Sequence, residues 1–200
     1  MTEGKLLPFR RVEGTPAELS DRALVSALGE GDQAALGALY DRFHRDVHRF
    51  VARLAREAEV WDVVQSTFLA AHRAAKRFRG DSSVKTWLFA IAANLVRQQY
   101  RGEARRHRAT ELVAAVPLAA SPAPSEQLVR DQQQRWLAAA IERLTPALRE
   151  AYVLCVIEEI PGKDAARALA IREASLWRRL SDAREALRAT IGELERGGAR

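Results

Sequence analysis

Asn94, Arg97, Arg101, Arg105 and Arg108 follow one another at spacings of three, four, four and three residues. On an α-helix those spacings set all five side chains in one column, where like charges cost roughly 0.2–0.5 kcal/mol per neighbouring pair. Folding alone gives no reason to line up four guanidiniums. A guanidinium is a planar fork of donors that grips phosphate oxygens two at a time. A column of them that starts at an asparagine, close to Trp87, reads as a surface for phosphates and bases rather than a solvated helix face.

A second group lies far along the chain, where Ser175, Arg178 and Arg179 occupy the exposed start of another helical stretch. Arginine there could form paired hydrogen bonds with guanine in a major groove. Other chemistry finds less support. Asp41, His44 and His48 share a helical face, but there is no HExxH pattern and no clear third ligand, so they read as a polar outer face. No nucleophile–base pair and no glycine-rich phosphate loop is present, so neither an enzyme nor a cofactor is expected. Cys155 is the single cysteine; it shares a stripe with Leu148, Ala151, Tyr152 and Val156 and reads as core.

These residues must be held by a framework, and composition bounds what it can be. The 200 residues are 48% hydrophobic and 29% charged with a net charge of +6, which suits a soluble chain of one or two small domains with an acidic partner. The apolar run in MTEGKLLPFRR is short for a signal peptide and no stretch is long enough to span a bilayer, so a cytoplasmic protein without membrane insertion is expected.

The periodicity is helical almost throughout and predicts an all-α fold. Thr15-Pro16-Ala17-Glu18 reads as a capping box, and Asp32 as the cap of a helix running to about Ala55 with Leu36, Leu39, Phe43, Val47, Phe50 and Leu54 inward. A third helix near 60–76 carries Val63, Val64, Phe68 and Leu69. The loop FRGDSS, residues 78–83, leads into the helix of the arginine column, whose inner stripe reads as Val84, Trp87, Leu88, Ile91 and Leu95. Trp87 borders that stripe and is expected to be core rather than a stacking platform.

Proline and small residues in LVAAVPLAASPAPS predict a flexible linker over 109–124. Helical signal resumes at Ser125, and Thr145-Pro146 reads as the cap of a further helix. Residues 163–191 have helix-turn-helix proportions, with a tight turn at Ala170-Ile171-Arg172. The expected division is a flexible 1–14, a helical domain over 15–108, the linker, a second helical domain over 125–196 and a short tail at 197–200.

Two separated segments are similar to a known family. EVWDVVQSTFLAAHRA with FRGDSSVKTWLFAIAANLVRQQYR in the first half, and LTPALREAYVLCVIEEIPGKDAARALAIREASLWRRLSDAREALR in the second, resemble bacterial RNA polymerase sigma factors of the extracytoplasmic-function (ECF) type. The resemblance implies a region 2 bundle and a region 4 helix-turn-helix. It implies a chain that binds core polymerase at the β′ clamp helices and β flap, recognises −10 and −35 promoter elements and helps to melt DNA. It also implies a partner that holds such a chain inactive, an anti-sigma factor.

Carried over by position, Asp62, Gln65 and Phe68 match the polymerase-docking surface. Arg79, Ser82 and Ser83 fall in the loop that receives a flipped base, and Asn94, Arg97, Gln98, Arg101 and Arg105 on the helix that reads and melts the −10 element. Arg172, Ser175, Arg178, Arg179 and Arg184 fall on or beside the −35-reading helix. Four features depart from the family pattern: Gln98 replaces an Asp, Gly102 interrupts the basic helix, Pro161-Gly162 opens the first C-terminal helix, and Trp177-Arg178 stands where Lys and Ser are usual. Two other readings remain at this point: a helix-turn-helix regulator acting without polymerase, and a degenerate adaptor that docks on polymerase without reading promoters.

Overall fold

The computed structural model describes residues 19–107 and 136–198. The Thr15 capping box, the 109–124 linker, Arg108 and the start of the helical signal at Ser125 lie outside them. Among the described residues every regular element is a helix and none is a strand.

α1 (Asp21–Gly29) starts at Ser20, whose Oγ accepts from the Ala23 N–H at 3.3 Å. The chain then reverses through Gly31, at a φ of +100° that glycine adopts without penalty. α2 (Gln33–Ala52) is capped as expected by Asp32, whose Oδ1 accepts from Ala34 N at 2.8 Å and Ala35 N at 3.4 Å. α3 (Val60–Ala74) runs into a short 3₁₀ turn at Ala75–Arg77, and α4 (Val84–His107) follows the loop. A helix over 136–143 is α5. α6 (Pro146–Tyr152) continues into one π-helical turn, Val153–Ile157. α7 (Gly162–Ala168) and α8 (Glu173–Gly198) complete the fold.

α1 to α4 pack around Leu24, Leu39, Val47, Phe50, Val64 and Leu88. At the centre Phe50 and Phe89 stack with centroids 4.2 Å apart. The inner face of α2 follows its predicted stripe at Leu39, Phe43, Val47 and Phe50, with Leu36 only partly covered. The stripe predicted for α4 is displaced. Val84 and Leu88 are buried, but Trp87, Ile91 and Leu95 are only half-buried, and Phe89, Ala92, Ala93 and Val96 take the interior. The cause is that α4 touches α1, α2 and α3 on one side and α7 on another, so no single stripe describes its burial. Leu69 is a second displacement: read as inward, it is 56% exposed.

α7 and α8 cross closely at Ala165, Ala166 and Ala183, and Ile171 packs against the core where the chain turns. Ala170 makes that turn at a φ of +54°, where a Cβ costs about 1–2 kcal/mol. Glycine relieves that strain but adds backbone freedom to the unfolded chain. Ala170→Gly is therefore expected to stabilise the protein by about 0.5–1 kcal/mol, seen as a higher urea midpoint with an unchanged slope.

Candidate nucleic-acid interface

The loop before α4 is built to hold an open shape. Gly80 has a φ of +73°, and its carbonyl accepts from Arg22 Nη2 at 2.6 Å. Ser83 Oγ accepts from the Thr86 N–H at 3.0 Å and shares a 2.8 Å hydrogen bond with the Thr86 hydroxyl, so this serine caps α4. Arg79 is exposed and Ser82 half-buried. Trp87 meets Phe78 with ring centroids 4.9 Å apart, half-buried at the junction of loop and helix. Beyond it Asn94, Gln98 and Arg101 are exposed on α4. Arg105 lies in the last turns of α4, and its side chain is outside the described part.

Arg97 is half-buried and ties α4 to the second domain. Its Nη1 lies 3.5 Å from Glu150 Oε2 of α6 and donates to the Leu169 carbonyl of α7 at 3.1 Å. The guanidinium column is thus not uniformly open: one member is tied to a carboxylate of the second domain. Three further contacts reinforce this closure. Arg167 of α7 donates to the Asp81 carbonyl in the loop at 2.8 Å. Glu158 receives Lys85 at 3.0 Å and Arg53 at 3.4 Å, both from the first domain.

Glu150 is only 3% exposed. Burial raises its carboxyl above the ordinary 4.5, opposed by the charges of Arg97, Arg179 and Arg101. A carboxyl raised in the folded state binds its proton more tightly there than in the unfolded chain. Its stabilising contribution is complete below 4.5 and lost as pH rises through the raised value. The stability difference between wild type and Glu150→Gln, from urea denaturation across the acid range, should therefore shift against wild type as pH rises. A difference that does not change with pH would remove Glu150 as a titrating group of the contact.

On the far side of the first domain, Asp62 and Gln65 are exposed on α3 with Phe68 buried beneath them. Beside them Leu36, Gly37 and Tyr40 of α2 and Gln65, Phe68 and Leu69 of α3 border a groove of about 680 Å³. His44 stacks on Tyr40 at 5.0 Å and its Nδ1 lies 3.0 Å from the Tyr40 carbonyl, while His48 lies 4.6 Å from the Trp61 ring. Ring packing thus accounts for both histidines on the Asp41 face.

In the second domain Arg172, Ser175, Arg178 and Arg184 are exposed, and Arg179 is half-buried and acts on Glu150 from α8. Cys155 is half-buried rather than core, and burial pushes its thiol up against the opposing charge of Arg184. Val156 of the same predicted stripe is 37% exposed, because the π-helical turn rewinds the segment.

Sequence reasoning passed over Arg22, Glu150 and Glu158. For Glu150 a signal existed: it is the one acid in LREAYVLCVI, among residues that otherwise bury. Nothing comparable marked the other two.

The family model for Sigma-70 region 2 matches residues 39–106, and that for Sigma-70, region 4 matches 134–187. The chain is 32% identical over 181 residues to the ECF RNA polymerase sigma factor SigM of Mycobacterium tuberculosis, covering 90% of this chain and 89% of that protein. Among solved structures, CnrH in complex with the cytosolic domain of CnrY is similar, with 28% identity, a TM-score of 0.61 and coverage of 86% of this chain and 97% of that one. The fold is also that of the sigma factor RpoE, crystallised with the anti-sigma factor NepR from Bartonella quintana: 24% identity, TM-score 0.63, coverage 76% and 94%. By the order of its two matched regions and its likeness to these relatives, the chain belongs to the ECF sigma factors of the sigma-70 family.

Proposed function

We propose that this ECF sigma factor docks on core RNA polymerase through Asp62, Gln65 and the adjoining groove, reads and opens the −10 element with the 78–83 loop and α4, and reads the −35 element with α8. The observation that carries the reading is the pairing in one chain of a region 2 match with a region 4 match. A helix-turn-helix regulator acting alone leaves residues 39–106 unexplained, and no observation favours it over the sigma-factor reading.

The closed arrangement adds a requirement. With Arg97 on Glu150 and Arg167 on the loop, α7 stands against the surface that would meet the −10 strand. Promoter reading then needs the two domains to separate, and whatever stabilises their closure acts as an inhibitor. An anti-sigma factor suits that part; RpoE, a sigma factor of similar fold, forms a complex with the anti-sigma factor NepR.

The exposed Asn94, Gln98 and Arg101 supply base and phosphate contacts once the domains part. Flipping a base costs a few kcal/mol, so a receiving loop beside phosphate-binding groups is the arrangement such chemistry needs. Added to core polymerase, the purified chain should start transcription at discrete points on a genomic template. A preparation that binds polymerase but yields no defined start on any template would overturn the reading.

A further inference from the structure

Gly162 opens α7 and has an ordinary backbone conformation, since only Gly31 and Gly80 among the described glycines have positive φ. Its lack of a side chain serves space instead. A Cβ built on Gly162 would lie 2.5 Å from Cζ2 and 3.0 Å from Cη2 of Trp177. Real Cβ atoms do not approach so closely, so no larger residue fits at 162 while the indole stays where it is. The two sequence departures, glycine at 162 and tryptophan at 177, are one packing unit.

That unit does not bury the ring. Trp177 is 52% exposed, although the preceding Leu176 is fully buried. It stands on α8 between exposed Ser175 and exposed Arg178. One part of the indole is seated on α7 at Gly162, and the ring as a whole stays half exposed. A ring held this way offers apolar contact area with little freedom left to lose on binding. In a major groove the apolar feature of a base edge is the thymine methyl group, while arginine pairs with guanine. A lysine at this position, the residue usual in the family, would offer a cation to phosphates or to guanine but no apolar surface for a methyl group.

We propose that Trp177, held on Gly162, is a specificity residue of α8 that contacts a thymine methyl group in the −35 element, next to a base or phosphate met by Arg178. This rests on the sigma-factor reading above and adds to it which base is selected.

The test uses polymerase loaded with the full chain, wild type or variant. A −35 sequence is first selected from a randomised library with wild type. Each thymine in it is then replaced by deoxyuridine, which removes the methyl group and leaves the hydrogen-bonding edge unchanged. One replacement should weaken wild-type binding about three- to fourfold, the worth of one buried methyl-sized group. Trp177→Lys should lose that sensitivity at the same position and, reselected from the library, should no longer require thymine there. Gly162→Ala should also lose it, because the new Cβ displaces the ring without altering any charge. Trp177→Phe, smaller but still aromatic, should retain part of it.

Equal deoxyuridine sensitivity in wild type and Trp177→Lys at every position, or the same selected sequence for both, would overturn the proposal while leaving the sigma-factor reading standing. Failure of the wild-type holoenzyme to enrich any −35 sequence would instead overturn the reading of α8 itself, and the proposal with it.

Discussion

Replacing Asp62 and Gln65 together by alanine is expected to lower affinity for core polymerase about a thousandfold and to abolish promoter-directed transcription at ordinary protein concentrations. Two central interface side chains at about 2 kcal/mol each, with tenfold for every 1.4 kcal/mol, give that figure. The fold should not change, because both side chains are exposed while Val63, Val64, Thr67 and Phe68 hold α3 to the core. Exposed substitutions away from caps and packing stay within about 0.5 kcal/mol. An unchanged melting curve with lost polymerase binding is the expected pair of results. If the double variant initiates as well as wild type, polymerase does not dock on this face of α3. The adjoining groove gives the expectation its physical basis: Leu69 projects at 56% exposure beside Tyr40 and Phe68, apolar area that folding leaves uncovered.

Glu158→Lys is expected to open the molecule. The Glu158 side chain is 9% exposed and holds Lys85 at 3.0 Å and Arg53 at 3.4 Å, both from the first domain. A lysine there would put three cations together where one acid had joined two. The partners are more than a third exposed, so solvent screens part of the effect. A shift of about 2 kcal/mol in the balance between closed and open forms is reasonable, or roughly thirtyfold. Since apparent affinity scales with the fraction of binding-competent molecules, promoter DNA should bind the free variant about ten- to thirtyfold more tightly. Small-angle scattering should show a larger radius of gyration. Glu158→Gln, which removes the bridge without adding a cation, should shift DNA affinity in the same direction, so a gain seen only in Glu158→Lys would come from its added charge. A variant that stays compact and binds DNA as wild type does would show that this bridge does not control opening.

The residues of the arginine column also mark how far the sequence could be read. That α4 presents a row of polar and basic side chains beyond its buried half followed from residue type and spacing alone. That Arg97 is bound to Glu150 did not, because the partner lies on α6, two helices further along the chain. Local spacing constrains what a helix presents and says nothing of which distant carboxylate meets it.

The same division runs through the core. α2 is buried on one side, so its period of Leu39, Phe43, Val47 and Phe50 was legible, as was the Asp32 cap that needs only the next three residues. α4 is covered from several directions, so Phe89, Ala92, Ala93 and Val96 displaced the predicted stripe. Gly162 and Trp177 could be noticed singly as departures from a family pattern. Only the crossing of α7 and α8, which brings the indole onto the glycine, shows that each exists for the other.

The sequence by itself therefore determined the helical fold and the Asp32 cap, because these rest on contacts within a few residues, and the resemblance gave the two matched regions. Tertiary structure decided that the two domains close on each other, that Glu150 and Glu158 join them, and that the Trp177 indole is seated on Gly162. Those depend on side chains far apart in the chain, whose meeting is set by packing and by the cost of leaving a buried charge without a partner.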